Sequence, residues 1–134
     1  MEAVRGPVRA AGRVALAAMF ISGGADAFLD PGPRTEKAEE LGVPLDPEVA
    51  VRVNGAAMVA AGAALALGVW PRLAAGVLAG SLVPTTLAGH PYWRIKDPAA
   101  RRQQRIHFFK NVGLLGGALL VLSERPRPRR PGRG

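Results

Sequence analysis

Two stretches of this chain, Val53–Trp70 and Leu73–Trp93, contain no charged residue and are separated only by Pro71 and Arg72. A helix at the surface of a soluble bundle needs a charged or strongly polar face, and neither stretch can supply one. Each reaches the ~18 to 20 residues that cross a hydrocarbon core of about 30 Å. The tight "WPR" link forces the two resulting helices to be antiparallel neighbours. Whatever else the chain does, it is predicted to do it in a membrane.

The rest of the sequence fits two further spans. Val14–Leu29 follows Arg5, Arg9 and Arg13 and ends beside Asp26. It crosses if Arg9 and Arg13 snorkel to the interface. Asp30–Val49 carries six acids, with Pro31, Pro33, Pro44 and Pro47 as punctuation, and reads as a loop holding one short helix from Thr35 to Leu41. Asp46-Pro47 and Asp97-Pro98 each supply an N-cap followed by proline at the first helical position, so the second and fourth long helices start there. Pro84 should bend the third helix, with Thr85 or Thr86 satisfying the carbonyl it frees. The fourth helix is expected from Pro98 to Ser123, its first turns outside the hydrocarbon. The spans are thus placed at about 10–29, 50–70, 73–93 and 106–123, with a disordered basic tail at 124–134. Gly62 with Ala66, Gly76 with Gly80, and Gly113 with Gly116 and Gly117 have the spacing that lets helices approach closely in lipid. The fold class predicted is all-α, an integral membrane antiparallel four-helix bundle.

Composition narrows the chemistry. Without cysteine the chain can form neither disulfides nor thiolate metal sites, and any redox role needs a cofactor or a partner. The formal charge of +8 comes from basic residues flanking apolar segments, where the lipid bilayer is a simpler partner than nucleic acid. A nucleic-acid role for the arginine-rich tail would show as steep salt dependence. With only two histidines and no third ligand at metal spacing, no metal site is expected.

Four alternating spans bring the end of the first, the start of the second, the end of the third and the start of the fourth to one side of the membrane. Those places hold Asp26, Asn54, His90, and the group His107, Lys110 and Asn111, with Tyr92 and Trp93 as interfacial anchors. At 100° per residue, His107, Lys110, Asn111, Leu114, Gly117 and Ala118 share one face of the fourth helix, while Phe108, Val112, Leu115 and Leu119 lie opposite, toward lipid. An Asp26 contact with Lys110 or His107 is sterically sensible. Two readings of this polar mouth stay open: Lys110 snorkels and pairs with Asp26 while Asn111 ties helices together, or the cluster binds a quinone head group, a proton in transit or a small anion.

The stretch "LAGHPYWRIKDPAARRQQRIHFFKNVGLLGGALLVL", with Phe108–Asn111 followed by Leu114–Gly117, resembles the C-terminal half of the DoxX family of small four-helix membrane proteins. "GVWPRLAAGVLAGSLVPTTLAGHPYW" and "RVALAAMFISGGADAF" resemble its third and first helices, with Asp26 standing near a place where the family commonly has lysine. The resemblance implies four transmembrane helices and membership in a group named for a subunit of a thiosulfate-to-quinone oxidoreductase. On that reading the chain is a subunit or anchor of a quinone-linked redox system in the inner membrane, not catalytic alone, with quinone as its one candidate cofactor and a redox protein or a second copy as partner. The alternative is a small transporter or proton-conducting protein built around Asp26, His90, His107 and Lys110. Short basic tails beside the first and last spans place both termini in the cytoplasm.

Overall fold

The computed structural model describes residues 2–126. In chain order it contains α1 (Glu2–Leu29), α2 (Arg34–Glu40), α3 (Pro47–Leu67), α4 (Pro71–Gly89), a 3₁₀ turn (Tyr92–Arg94) and α5 (Pro98–Leu122), with no strand among the described residues. α1, α3, α4 and α5 are each long and apolar enough to cross a membrane. Helices satisfy every backbone N–H and C=O internally, which lipid cannot do for them. The expected all-α, four-span architecture is therefore present. The basic tail lies, from residue 127 onward, outside the described residues.

Helix ends follow local chemistry. Asp46 accepts from Val49 N–H at 3.1 Å and Asp97 from Ala100 N–H at 2.8 Å, each with proline next in line, so α3 and α5 start where the Asp-Pro pairs say they should. α3 ends at Gly68, left-handed at φ 72°, with Val69 N–H bonded to Ala64 O at 2.8 Å and Gly68 N–H to Leu65 O at 3.1 Å. This double bond pattern closes the last turn and leads straight into α4. Two boundaries differ from expectation. α1 begins at Glu2, well before residue 10. α4 stops at Gly89 because Pro91 has no N–H and disfavours helical backbone at His90, and Tyr92–Arg94 winds into a separate turn.

Packing runs α1 on α3, α3 on α4 and α4 on α5, while α1 touches α5 only lightly. The core is built from Phe20, Leu65 and Leu78, all fully buried, with Ala17, Ala61, Ala74, Ala75, Leu82 and Val121 around them. A smaller cluster of Ala27, Ala38 and Val51 docks α2 against the ends of α1 and α3. Large apolar side chains elsewhere point outward, among them Leu67, Leu73, Leu87, Ile106 and Leu120. A soluble monomer rarely exposes so continuous an apolar surface, and lipid is its natural solvent.

The close approach occurs where α1 meets α3. A Cβ on Gly55 would lie 2.5 Å from Gly24 O, and one on Gly24 would lie 2.7 Å from Gly55 O, so only glycine fits either position. Gly62 completes this seam, since its Cβ would meet Ile21 at 2.7 Å. Of the glycines singled out by spacing, Gly80, Gly113 and Gly116 instead face open space, and Gly76 and Gly117 meet only the side chains of Leu122 and Leu16.

Arginines from neighbouring helices reach three helix C-termini, two of them through a hydrogen bond. Arg52 of α3, held by Glu48 at 2.9 Å, donates to Phe28 O in the last turn of α1. Arg72 of α4 donates Nε to Leu122 O of α5 at 3.1 Å. The Arg13 guanidinium of α1 lies against Gly68 at the end of α3, where a Cβ would stand 2.8 Å from Nη1. Each places positive charge at the negative end of a helix dipole.

Candidate functional site

The polar residues expected at one mouth do not form one cluster. They divide between two helix pairs, with Asp26 apart from both.

The largest group lies between α4 and α5. Asn111, buried, donates Nδ2 to Thr86 Oγ1 at 3.0 Å, and the Thr86 hydroxyl donates to Leu82 O at 2.6 Å. One turn further toward the mouth, His90 and His107 stack with ring centroids 5.4 Å apart and planes 24° apart. The antiparallel register explains the pairing: a step of four along α4, from Thr86 to His90, matches a step of four back along α5, from Asn111 to His107. His90 Nδ1 lies 2.7 Å from Gln104 Oε1. An amide oxygen only accepts, so Nδ1 carries a proton and donates in this bond. Imidazole lone pairs lie in the ring plane, so two nearly parallel stacked rings are poorly disposed to converge on one metal ion.

Aromatic rings surround this end. Tyr92 packs edge-on against Trp93 and Phe108, both at 5.3 Å, and Phe108 against Trp93 at 5.8 Å and Phe109 at 5.4 Å. Edge-to-face pairs at such distances are the favoured aromatic geometry. Phe108, expected to face lipid, is instead half-buried against the 3₁₀ turn, because α4 ends early and the Tyr92–Trp93 corner folds back over α5. Leu115, expected on the same lipid face, packs on the core.

Asn54 belongs to a second group. Its Oδ1 accepts from Ser81 Oγ at 2.8 Å, tying α3 to α4 more than two turns before His90. Thr85 donates to Ser81 O and Leu82 O at 2.9 and 3.1 Å, and Thr86 to Leu82 O, so neither hydroxyl serves the Gly80 carbonyl that Pro84 frees.

Asp26 stands apart, exposed in a shallow cleft with Leu29, Asp30 and Arg34. Among the described residues the ion pairs are Arg9–Glu124, Lys37–Glu40 and Arg52–Glu48, and neither Asp26 nor Lys110 takes part. The expected Asp26–Lys110 contact is therefore corrected. α1 meets α5 toward the termini, through Arg9–Glu124 at 3.3 Å and Leu16 beside Gly117, whereas Gly24 draws the other end of α1 onto α3. Lys110 is exposed at the edge of the face that His107, Asn111 and Ala118 turn inward.

Sequence reasoning missed Gln104, Thr86 and Ser81 as partners. The four-residue spacings Thr86–His90 and His107–Asn111, read against an antiparallel α4–α5 register, were the available signal.

A family model described as DoxX matches residues 8–91, which is α1 through the end of α4. It stops before the Phe108–Gly117 stretch that carried most of the sequence resemblance. No curated protein and no solved structure matches. The matched region takes in well over half of the 134 residues and three of the four spans, and this multi-pass membrane chain belongs to the DoxX family.

Proposed function

We propose that the chain is a membrane-embedded subunit or anchor of a quinone-linked redox system, and that the α4–α5 mouth receives the quinone head group. The observation carrying this reading is the stacked, half-buried His90–His107 pair beside an aromatic corner. The donor set suits such a ligand. Quinone oxygens only accept hydrogen bonds, His107 and Lys110 offer N–H donors, and Tyr92 and Phe108 offer ring edges for the flat head group. Bound quinone would supply the redox chemistry. The chain's own contribution is to bind and orient: Gln104 orients His90 through Nδ1, His90 positions His107 by stacking, and the Thr86–Asn111 bond locks the register beneath them. Electrons would come from or go to a partner protein. The termini face the cytoplasm on this reading, and a reporter fused after Gly134 should be read there.

The test is a titration of the Trp70→Phe variant in lipid nanodiscs with a short-chain quinone, following Trp93 fluorescence. Saturable quenching that His107→Ala weakens at least tenfold, and Asp26→Asn leaves unchanged, supports the proposal. Quenching that never saturates, or that ignores His107, sinks it. Proton uptake into proteoliposomes that needs His107 but ignores quinone assigns the mouth to proton conduction instead.

A further inference from the structure

A second cleft lies at the opposite membrane face from the histidines. It has a volume of about 430 Å³ and is lined by Arg72, Leu73, Gly76, Val77 and Leu122, where the start of α4 meets the end of α5. That size lies within the ~300–1,000 Å³ of small-ligand clefts. Its depth in the bilayer can be read from its neighbours. Trp70, 76% exposed, marks the head-group level two residues before Arg72. Leu73, Gly76 and Val77 then run inward along α4 and form an apolar trough open to lipid.

Charge at the mouth of the trough is unbalanced. Arg72 commits only Nε, to Leu122 O, and both terminal nitrogens lack a partner among the described residues. The acid at that end of α5, Glu124, is already held by Arg9 at 3.3 Å. A guanidinium fixed at one nitrogen presents its remaining N–H groups in a rigid fork, which matches two oxygens of a phosphate. The trough beside it can be filled at that depth only by hydrocarbon, since water has no polar partner along Leu73, Gly76 and Val77.

We propose that this cleft is a specific seat for an anionic glycerophospholipid, with the phosphate on the Arg72 fork and one acyl chain in the trough formed by Leu73, Gly76, Val77 and Leu122. Both parts are needed: the guanidinium alone would hold free phosphate, and the trough alone would take any lipid chain. The lipid completes the packing between α4 and α5 at the end where Arg72 already closes the α5 C-terminus. Its occupancy is independent of any ligand at the histidine mouth.

The test measures thermal unfolding of the full chain in a neutral detergent with added dioleoyl phosphatidylglycerol, dioleoyl phosphatidylcholine or glycerol 3-phosphate. Phosphatidylglycerol should raise the midpoint saturably by several degrees, phosphatidylcholine by less than half as much, and glycerol 3-phosphate not at all. Arg72→Gln should abolish the difference between the two lipids. Gly76→Leu keeps the guanidinium but fills the trough, and its Cβ meets Leu122 at an ordinary 3.7 Å, so the fold should tolerate it while the lipid effect is lost. Arg102→Gln, at the other membrane face, should change nothing. An undiminished phosphatidylglycerol preference in Arg72→Gln or Gly76→Leu overturns the proposal, as does equal loss in Arg102→Gln or full stabilisation by glycerol 3-phosphate. Should Arg72→Gln fail to fold, native mass spectrometry of the wild-type chain in mixed lipid decides: retention of one phosphatidylglycerol in preference to phosphatidylcholine supports the seat, and indiscriminate retention refutes it.

Discussion

The seam between α1 and α3 and the seam between α4 and α5 solve the same problem by opposite means. In the first, Gly24, Gly55 and Gly62 remove side chains until backbone lies on backbone. In the second, hydroxyl, amide and imidazole groups bridge the gap, as Asn111–Thr86 and His90–Gln104 do. Lipid offers no hydrophobic drive to either, so the first relies on dispersion at short range and the second on hydrogen bonds that have nowhere else to go. A glycine seam is intolerant of change and chemically silent. A polar seam loses less when altered and keeps donors and acceptors within reach of its mouth.

The largest expected effect breaks the glycine seam. Gly55→Leu must push α1 and α3 apart, because even its Cβ would collide with Gly24 O, and overpacking of this kind costs about 3 kcal/mol or more. Gly116→Leu, whose Cβ meets nothing within 4 Å, should be close to neutral. Denaturation of both variants in mixed micelles checks the contrast, and equal losses would mean that α1 and α3 are not in backbone contact. A smaller effect probes the polar seam. Asn111→Leu and Thr86→Val should each cost about 1 kcal/mol, with a coupling in the double variant on the order of 0.6 kcal/mol, the average for hydrogen bonds between membrane helices. Strict additivity would separate the two side chains. The smallest effect lies where the seams fail to meet. Asp26→Asn and Lys110→Gln should add within ~0.3–0.5 kcal/mol, as independent sites do. A larger coupling would restore the ion pair that the structure lacks.

These three contrasts also mark how far the sequence could be read. The two charge-free stretches, the Asp-Pro starts of α3 and α5 and the "WPR" turn are local signals, and local signals locate spans and their alternation well. The inward face of α5 was legible at His107, Asn111 and Ala118 because it follows from helix period alone. Gly24 and Gly55 were not, since glycine spacing is equally good on every helix here and only the structure tells which stripe meets another. The Asp26–Lys110 expectation failed for a related reason. Alternation puts both at one membrane face, but it does not say that α1 leans toward α3 there. Phe108 moved inward because Pro91 ended α4 early, a boundary effect that periodicity within α5 cannot register.

The arginine ties between α1 and α3 have a consequence for register. Arg52 of α3 reaches Phe28 at one membrane face, and Arg13 of α1 reaches Gly68 at the other. The two helices thus exchange a cation in each direction, and the span between the ties acts as a ruler laid across the bilayer. A slip of one turn, about 5.4 Å, would take both guanidiniums off their helix ends at once, although Arg52 would keep Glu48 of its own helix. The two contacts, one at each membrane face, thereby fix a single register of α1 against α3.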